Sequence, residues 1–431
     1  MIALAVLNIP RTSRSSSSAP RPYRRVMVAL AGSLHLEPSI LRQSFIVLLI
    51  AALLELLPGY FLGSLERYLI LVPGLLVLLP PTVGLRGNTF GSLASRLGSK
   101  LHLGTMRPYL KDNSELADQI IATMLQLMFL SSLLPLVAMV IGRIIGLEFA
   151  PFSTLLFISL AAGLISGLLM FAISLGITLI SFRKGWDPDN VSSPIIASSG
   201  DILTIPIMLI SAWIALNIPE TAVRFTSLGV LGLIIIGSVL TMVRFRKETR
   251  SILIGTFPVA LTAIVISTFS GILLGASFDP YLKGTMFLLL VPAFNGQGGA
   301  VGSILGSRLS SAGYLGQDRL TILPNETGRS SALTLWLITL VLFLLLGAGG
   351  AVLGMLTGVS IPPVLFILLT MIGGATLVSL ISSTIAYYIA YASFRLGLDP
   401  DNMVIPILTS LMDVVGSGSL ILCILAVGLI L

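Results

Sequence analysis

The sequence predicts an all-α polytopic membrane protein with eleven transmembrane helices arranged as five, one and five. The two groups of five form parallel repeats around a pseudo-two-fold axis along the membrane normal. Three observations predict this. The 431 residues are 55% hydrophobic and 10% charged, with mean hydropathy +1.03, against about 25% charged residues in soluble domains. Apolar runs long enough to cross a hydrocarbon core of ~30 Å recur along the chain. Two long stretches also match each other at one fixed offset. A soluble two-domain enzyme is excluded by this composition. A nucleic-acid partner is excluded as well: the formal charge of +7 comes from basic residues placed between apolar runs. Cys423 is alone, so no intrachain disulfide forms, and His35 and His102 are too far apart for a histidine-based metal site.

In chain order, residues 1–42 read as a disordered basic cytoplasmic tail. Arg11, Arg14, Arg21, Arg24 and Arg25 surround Ser15–Ser18, and Pro10, Pro20 and Pro22 break any helix. The apolar start Met1–Leu7 is short and precedes the basic residues, the reverse of a signal peptide. Spans follow at about 43–62, 69–98, 119–146, 152–181, 192–217, 226–243, 252–275, 282–309, 331–357, 361–392 and 403–430. The second and eighth are long and carry Pro and Gly near the middle, which predicts broken helices. The domains are then a first repeat (43–217), a linking helix (218–250) and a second repeat (251–431). With the N-terminus in the cytoplasm, twenty Lys and Arg fall on the cytoplasmic side and four on the other: Arg67, Arg143, Arg224 and Lys283. That asymmetry predicts an N-terminus inside and a C-terminus outside; the expected location of this multi-pass protein is the plasma membrane.

The repeat is legible residue by residue. Pro80, Gly84, Gly87, Ser95, Arg96 and Leu97 recur as Pro292, Gly296, Gly299, Ser307, Arg308 and Leu309. Asp187-Pro188-Asp189-Asn190 recurs as Asp399-Pro400-Asp401-Asn402, Pro194 as Pro406, and Asp201 as Asp413. Every pair lies 212 residues apart, with no gap over most of the chain. Five spans per repeat would invert the second copy. The linking span restores its orientation, so the copies are parallel and a site on their axis is built twice from equivalent residues.

Charges inside spans are expensive and mark function. Asp201 lies 11 residues beyond Asn190, roughly 16 Å along a helix, near the middle of the bilayer. Asp413 is its equivalent. Two acids at matching depth can face each other across the axis and hold a hard divalent cation, which prefers oxygen ligands. The alternative, a hydrogen-bonded packing residue, is weakened because both copies keep the Asp among small polar neighbours, Ser198, Ser199 and Gly200 or Thr409, Ser410 and Gly416. Pro80, Gly84 and Asn88, with Pro292, Asn295 and Gly296 and with Ser198 and Thr409, are read as an ion pathway. There proline frees a carbonyl and glycine allows close approach. A kink that only packs helices is the alternative. Glu55 matches Ser267, which places it outside the symmetric site and gives it a structural role. Asp187, Asp189, Asp399 and Asp401 lie at the cytoplasmic mouth. Capping of the next helix by Asn190 or Asn402 is the favoured role for these loops over collecting cations.

Assembled, these residues resemble the MgtE-type magnesium transport family, in particular its eukaryotic-style branch, solute carrier family forty-one, which carries two MgtE-like domains in one chain. The resemblance rests on Gly84-Leu85-Arg86-Gly87-Asn88 with Ser95-Arg96-Leu97. It rests equally on Asp187-Pro188-Asp189-Asn190 leading through Pro194 to Ser199-Gly200-Asp201, and on the second-repeat copies. It implies a pore on the two-fold axis, with the fifth-helix acids Asp201 and Asp413 binding Mg²⁺ largely through its water shell. It also implies Mg²⁺ as transported ion, no organic cofactor, the lipid bilayer as surroundings, and a monomer that is already a pseudo-dimer. Ala300 departs from the pattern where Asn88 would recur, and Ser92 stands where bacterial relatives have Gln. These residues contain no counterpart of the family's cytoplasmic N-domain and CBS pair. A Na⁺-coupled Mg²⁺ exchanger is the alternative to a channel. An intramembrane aspartyl protease is the remote alternative, and its Pro-Ala-Leu signature is missing.

Overall fold

The computed structural model describes residues 38–64, 66–102, 114–183, 188–244, 247–314, 321–324, 326–396 and 400–431. The first repeat comprises α1 (Pro38–Ser64), the short α2 (Glu66–Leu71), α3 (Leu75–His102), α4 (Ser114–Ile144), α5 (Phe152–Arg183) and α6 (Pro188–Asn217). Next comes α7 (Glu220–Arg244), then the second repeat: α8 (Lys247–Ser277), α9 (Met286–Tyr314), α10 (Glu326–Thr357), α11 (Val364–Leu396) and α12 (Pro400–Ile430). The starts of α4, α5 and α6 recur in α10, α11 and α12 at the same 212-residue offset. Nine of these helices are long and apolar enough to cross a membrane, by length and composition among the described residues. The exceptions are α1, whose apolar stretch Leu48–Gly63 is shorter, and α3, whose second half is polar. The exposed surface is rich in Leu, Ile and Val, such as Leu233, Ile236 and Val364, as a lipid-facing surface requires.

The predicted breaks are displaced. Both α3 and α9 run unbroken through Pro80, Pro81 and Pro292. The interruption comes earlier, at Pro73-Gly74, where Gly74 has φ +85°, and in the second repeat at a π-turn, Phe278–Leu282, followed by Gly284 with φ +68°. Only glycine adopts such angles without strain. Each break is sutured to the following hairpin: Ala150 N–H donates to the Pro73 carbonyl at 2.9 Å, and Met286 N–H to the Ser360 carbonyl at 3.0 Å.

The repeats interlock. The first helix of each packs on the Pro/Gly helix of the other, α1 on α9 and α8 on α3. Glycine sets the closeness. A Cβ on Gly271 of α8 would lie 1.9 Å from the Val77 carbonyl of α3, and a Cβ on Gly59 of α1 would lie 2.0 Å from the Leu289 carbonyl of α9. Pro81 has no N–H to offer the Val77 carbonyl four residues back. That freed oxygen is therefore covered by a neighbouring helix, not presented to a cation as the sequence suggested. Helix α7 packs outside α4 and α5, with 17% of its membrane window buried, a peripheral position.

Candidate functional site

The interlocked helices bring three carboxylates together. Helix α1 delivers Glu55, α6 delivers Asp201 and α12 delivers Asp413. Glu55 is buried, and its carboxyl meets that of Asp201 within hydrogen-bonding reach. No N–H or O–H of the described residues reaches Glu55 Oε2. Two buried carboxyls in contact repel unless a proton or a cation lies between them. Asp413 is within electrostatic range of both.

The second repeat builds the matching half. Ser267 Oγ of α8 donates to Asp413 Oδ2 at 2.6 Å. Ser267 is the counterpart of Glu55, so Glu55–Asp201 and Ser267–Asp413 are the same contact made twice. The glycines complete the correspondence. A Cβ on Gly84 would lie 3.3 Å from both Asp413 Oδ2 and Ser267 Oγ, and a Cβ on Gly296 would lie 2.6 Å from Glu55 Oε1. Each glycine therefore admits an acid from the opposite repeat to the surface of its own helix.

Around Asp413 the oxygens multiply. Ser270 Oγ donates to the Asp413 backbone carbonyl at 2.7 Å and lies 2.9 Å from Ser417 Oγ, which donates to Asn295 Oδ1 at 3.0 Å. The first-repeat counterparts of Ser270, Ser417 and Asn295 are Pro58, Ile205 and Val83, so the first half has no such network.

The other sequence-selected residues fall as follows. Asn88 Nδ2 donates to Ser410 Oγ at 3.4 Å, a long bond joining α3 to α12. Thr409 packs its methyl against the backbone at Gly299. Pro80 and Pro292 are buried inside continuous helices. The side chain of Ser198 lies outside the described residues, as do Asp187 and Asp399. Asp189 and Asp401 fall in the first turns of α6 and α12, with their side chains likewise outside. Pro188 and Pro400 open those helices, which suits proline at the first helical position. Asn190 and Asn402 are thus inside the first turn and not at the cap. The residue that sequence reasoning misplaced is Glu55. The signal available was only that its counterpart Ser267 is also polar, on a helix that carries several other hydroxyls.

Among the described residues, no group of three His, Cys, Asp or Glu is close enough to grip a bare metal ion. Carboxylates spaced this way suit an ion that keeps its water, which they can hold by accepting hydrogen bonds.

A profile of the MgtE family, described as a divalent cation transporter, matches residues 79–211 and again 291–423. The two matches begin and end 212 residues apart, as the internal repeat does. The chain is 29% identical over 379 residues to human solute carrier family 41 member 2, covering 80% of this chain and 63% of that protein. It is 27% identical over 413 residues to rat solute carrier family 41 member 3, covering 89% of this chain and 86% of that one. The chain thus spans somewhat less than two thirds of the human relative. No solved structure matches it.

Proposed function

The chain belongs to the MgtE family of divalent cation transporters, membrane proteins and not enzymes, and from that premise we propose that it carries hydrated Mg²⁺ between its two repeats. The observation that carries this reading is the buried, donor-poor meeting of Glu55 with Asp201, within electrostatic range of Asp413. Three carboxylates in low dielectric favour a doubly charged ion over a singly charged one, because attraction scales with the product of charges. Mg²⁺ gives up its water reluctantly and keeps several waters when bound. Carboxylates too dispersed for direct chelation favour it over Ca²⁺, which takes protein oxygens directly. The glycines leave room for the acids: a Cβ on Gly296 would collide with Glu55, and one on Gly84 would crowd Asp413.

In this reading the eleven long helices cross the membrane as five, one and five. The domains are 43–217, 218–250 and 251–431, with a tail over 1–42, the N-terminus cytoplasmic and the C-terminus outside at the plasma membrane. The twenty-to-four basic asymmetry supports that orientation. One chain supplies both halves of the axis, which supports a monomer.

The test is Mg²⁺ uptake into liposomes holding the purified chain. Asp201→Asn and Asp413→Asn are each expected to lower uptake while leaving the folded protein intact. Normal uptake in both variants would sink the assignment.

A second reading, Na⁺-coupled exchange, draws support from the unlike halves. One carboxylate amid Ser267, Ser270, Ser417 and Asn295 is a low-charge oxygen cluster suited to a monovalent ion, whereas Glu55 with Asp201 suits a divalent one. Uptake that requires an opposing Na⁺ gradient would favour exchange. Uptake that follows membrane potential and ignores Na⁺ would favour a channel.

A further inference from the structure

On the face of α3 turned away from the acids lies a buried positive charge, outside the carboxylate site. Arg86 follows Gly84 by two residues, a rotation of about 200°, so its side chain points outward between α4 and α5. It is fully buried. Its Nε donates to Ser166 Oγ at 2.7 Å and its Nη1 to the Thr82 carbonyl, while Nη2 has no partner. No carboxylate of the described residues lies within salt-bridge distance of the guanidinium. Two further buried groups here lack partners, Thr82 Oγ1 and Ser131 Oγ. Nη2 and Ser131 Oγ face the same spot beside Gly163: a Cβ there would lie 3.7 Å from the first and 2.8 Å from the second.

The second repeat fills the equivalent region with apolar side chains. The counterparts of Arg86, Thr82, Ser131, Ser166, Ser159 and Gly163 are Gly298, Phe294, Phe343, Val378, Met371 and Ala375. There Phe294 and Phe343, both fully buried, stack edge to face at 4.7 Å. All six positions differ, and five of them change from polar to apolar. The first-repeat set carries sixteen side-chain non-hydrogen atoms against twenty-two, so it encloses less matter in an equivalent place. An ionised guanidinium with an idle donor is costly in such surroundings.

We propose that the first repeat holds a small monovalent anion, chloride in a cell, between α3, α4 and α5. It is bound by Arg86 Nη2 with the hydroxyls of Ser131 and Thr82 as donors. The anion neutralises Arg86 without placing a fixed carboxylate near the cation pathway. It also explains why the aromatic filling of the second repeat is absent here.

The test uses the full chain in nanodiscs, unfolded thermally at constant ionic strength while potassium chloride replaces potassium gluconate. The expected result is a saturable rise in midpoint with chloride and with bromide. Ser131→Ala should raise the half-saturating concentration about 3- to 10-fold, the loss of one hydrogen bond to a charge. Arg86→Gln should abolish the response. Should that variant fail to fold, Ser131→Ala and a bromide anomalous peak between the three helices decide the matter. A midpoint identical in chloride and gluconate would mean that water fills the space and would overturn the proposal. So would a chloride response that Ser131→Ala and Thr82→Val both leave unchanged.

Discussion

The two repeats share a backbone plan and differ in chemistry, and the boundary between likeness and difference is sharp. Where the chains must approach, they agree: Gly59 and Gly271 press on carbonyls of the opposite repeat, and Gly84 and Gly296 flank the opposite repeat's acidic half-site. The two Asp residues agree as well. Away from those points the halves diverge. Glu55 stands against Ser267, the Ser270–Ser417–Asn295 network against Pro58, Ile205 and Val83, and Arg86 with its hydroxyls against a pair of phenyl rings. In a homodimer such a change would appear on both sides of the axis. Duplication within one chain allows one side to become more acidic and the other more richly hydroxylated while the crossing points stay fixed.

The largest expected effect tests the likeness. Gly59→Ala and Gly271→Ala each place a methyl within about 2 Å of a backbone oxygen, which cannot rotate away. Each should destabilise the protein by about 3 kcal/mol, read as a lower unfolding midpoint in detergent and a smaller folded yield. The contrast is Gly229→Ala on the peripheral α7, where nothing lies within 4 Å. It should be neutral or stabilising by up to about 1 kcal/mol, because alanine is the better helix former. Equal damage from all three would mean that the interlock is not what holds the repeats together.

The next effect tests the difference. Glu55→Gln removes a charge from the more acidic half and should weaken Mg²⁺ uptake roughly 10- to 100-fold, the scale seen when a group orienting a bound metal is lost. Ser267→Ala, at the equivalent place, removes a neutral donor and should cost about 2- to 5-fold. Radiotracer or fluorescent-indicator flux across a Mg²⁺ series separates the two. Similar losses would show that the halves act alike despite their residues. The converse change, Ser267→Glu, restores symmetry in the acidic direction. It should lower the half-saturating Mg²⁺ concentration a few-fold, since ligand charge count tunes affinity.

Much of this was legible in the sequence because hydropathy and a fixed offset are both strong signals. The long helices match the expected spans within a few residues, and α4, α5 and α6 begin 212 residues before α10, α11 and α12. The cost of charge in lipid singled out Asp201 and Asp413 as candidates. The sequence could not show that α1 and α8 cross to the opposite repeat, because packing partners leave no local pattern. Glu55 was misjudged for that reason: it looked asymmetric by alignment, yet crossing brings it to Gly296 and Asp201. The helix break was misplaced for another. Proline in a long buried helix is tolerated when a neighbour covers the freed carbonyl, as Gly271 covers the Val77 oxygen that Pro81 frees; the helices run on through Pro80 and Pro292 and break instead near Gly74 and Gly284.

The smallest effect separates scaffold from ion site in the second half. Ser417→Ala removes the donor to Asn295 Oδ1 and the contact with Ser270 Oγ. As scaffold alone the network loses about 1 kcal/mol, a drop of a few degrees in the unfolding midpoint, with Mg²⁺ uptake and its Na⁺ response unchanged. If these oxygens hold a monovalent ion, the same substitution shifts the Na⁺ dependence of uptake, while Glu55→Gln shifts the Mg²⁺ dependence. The first repeat cannot give this answer, because Ile205 and Val83 stand where Ser417 and Asn295 do. A Na⁺ shift confined to second-repeat variants would therefore locate the coupling in the half of the molecule that has the oxygens for it.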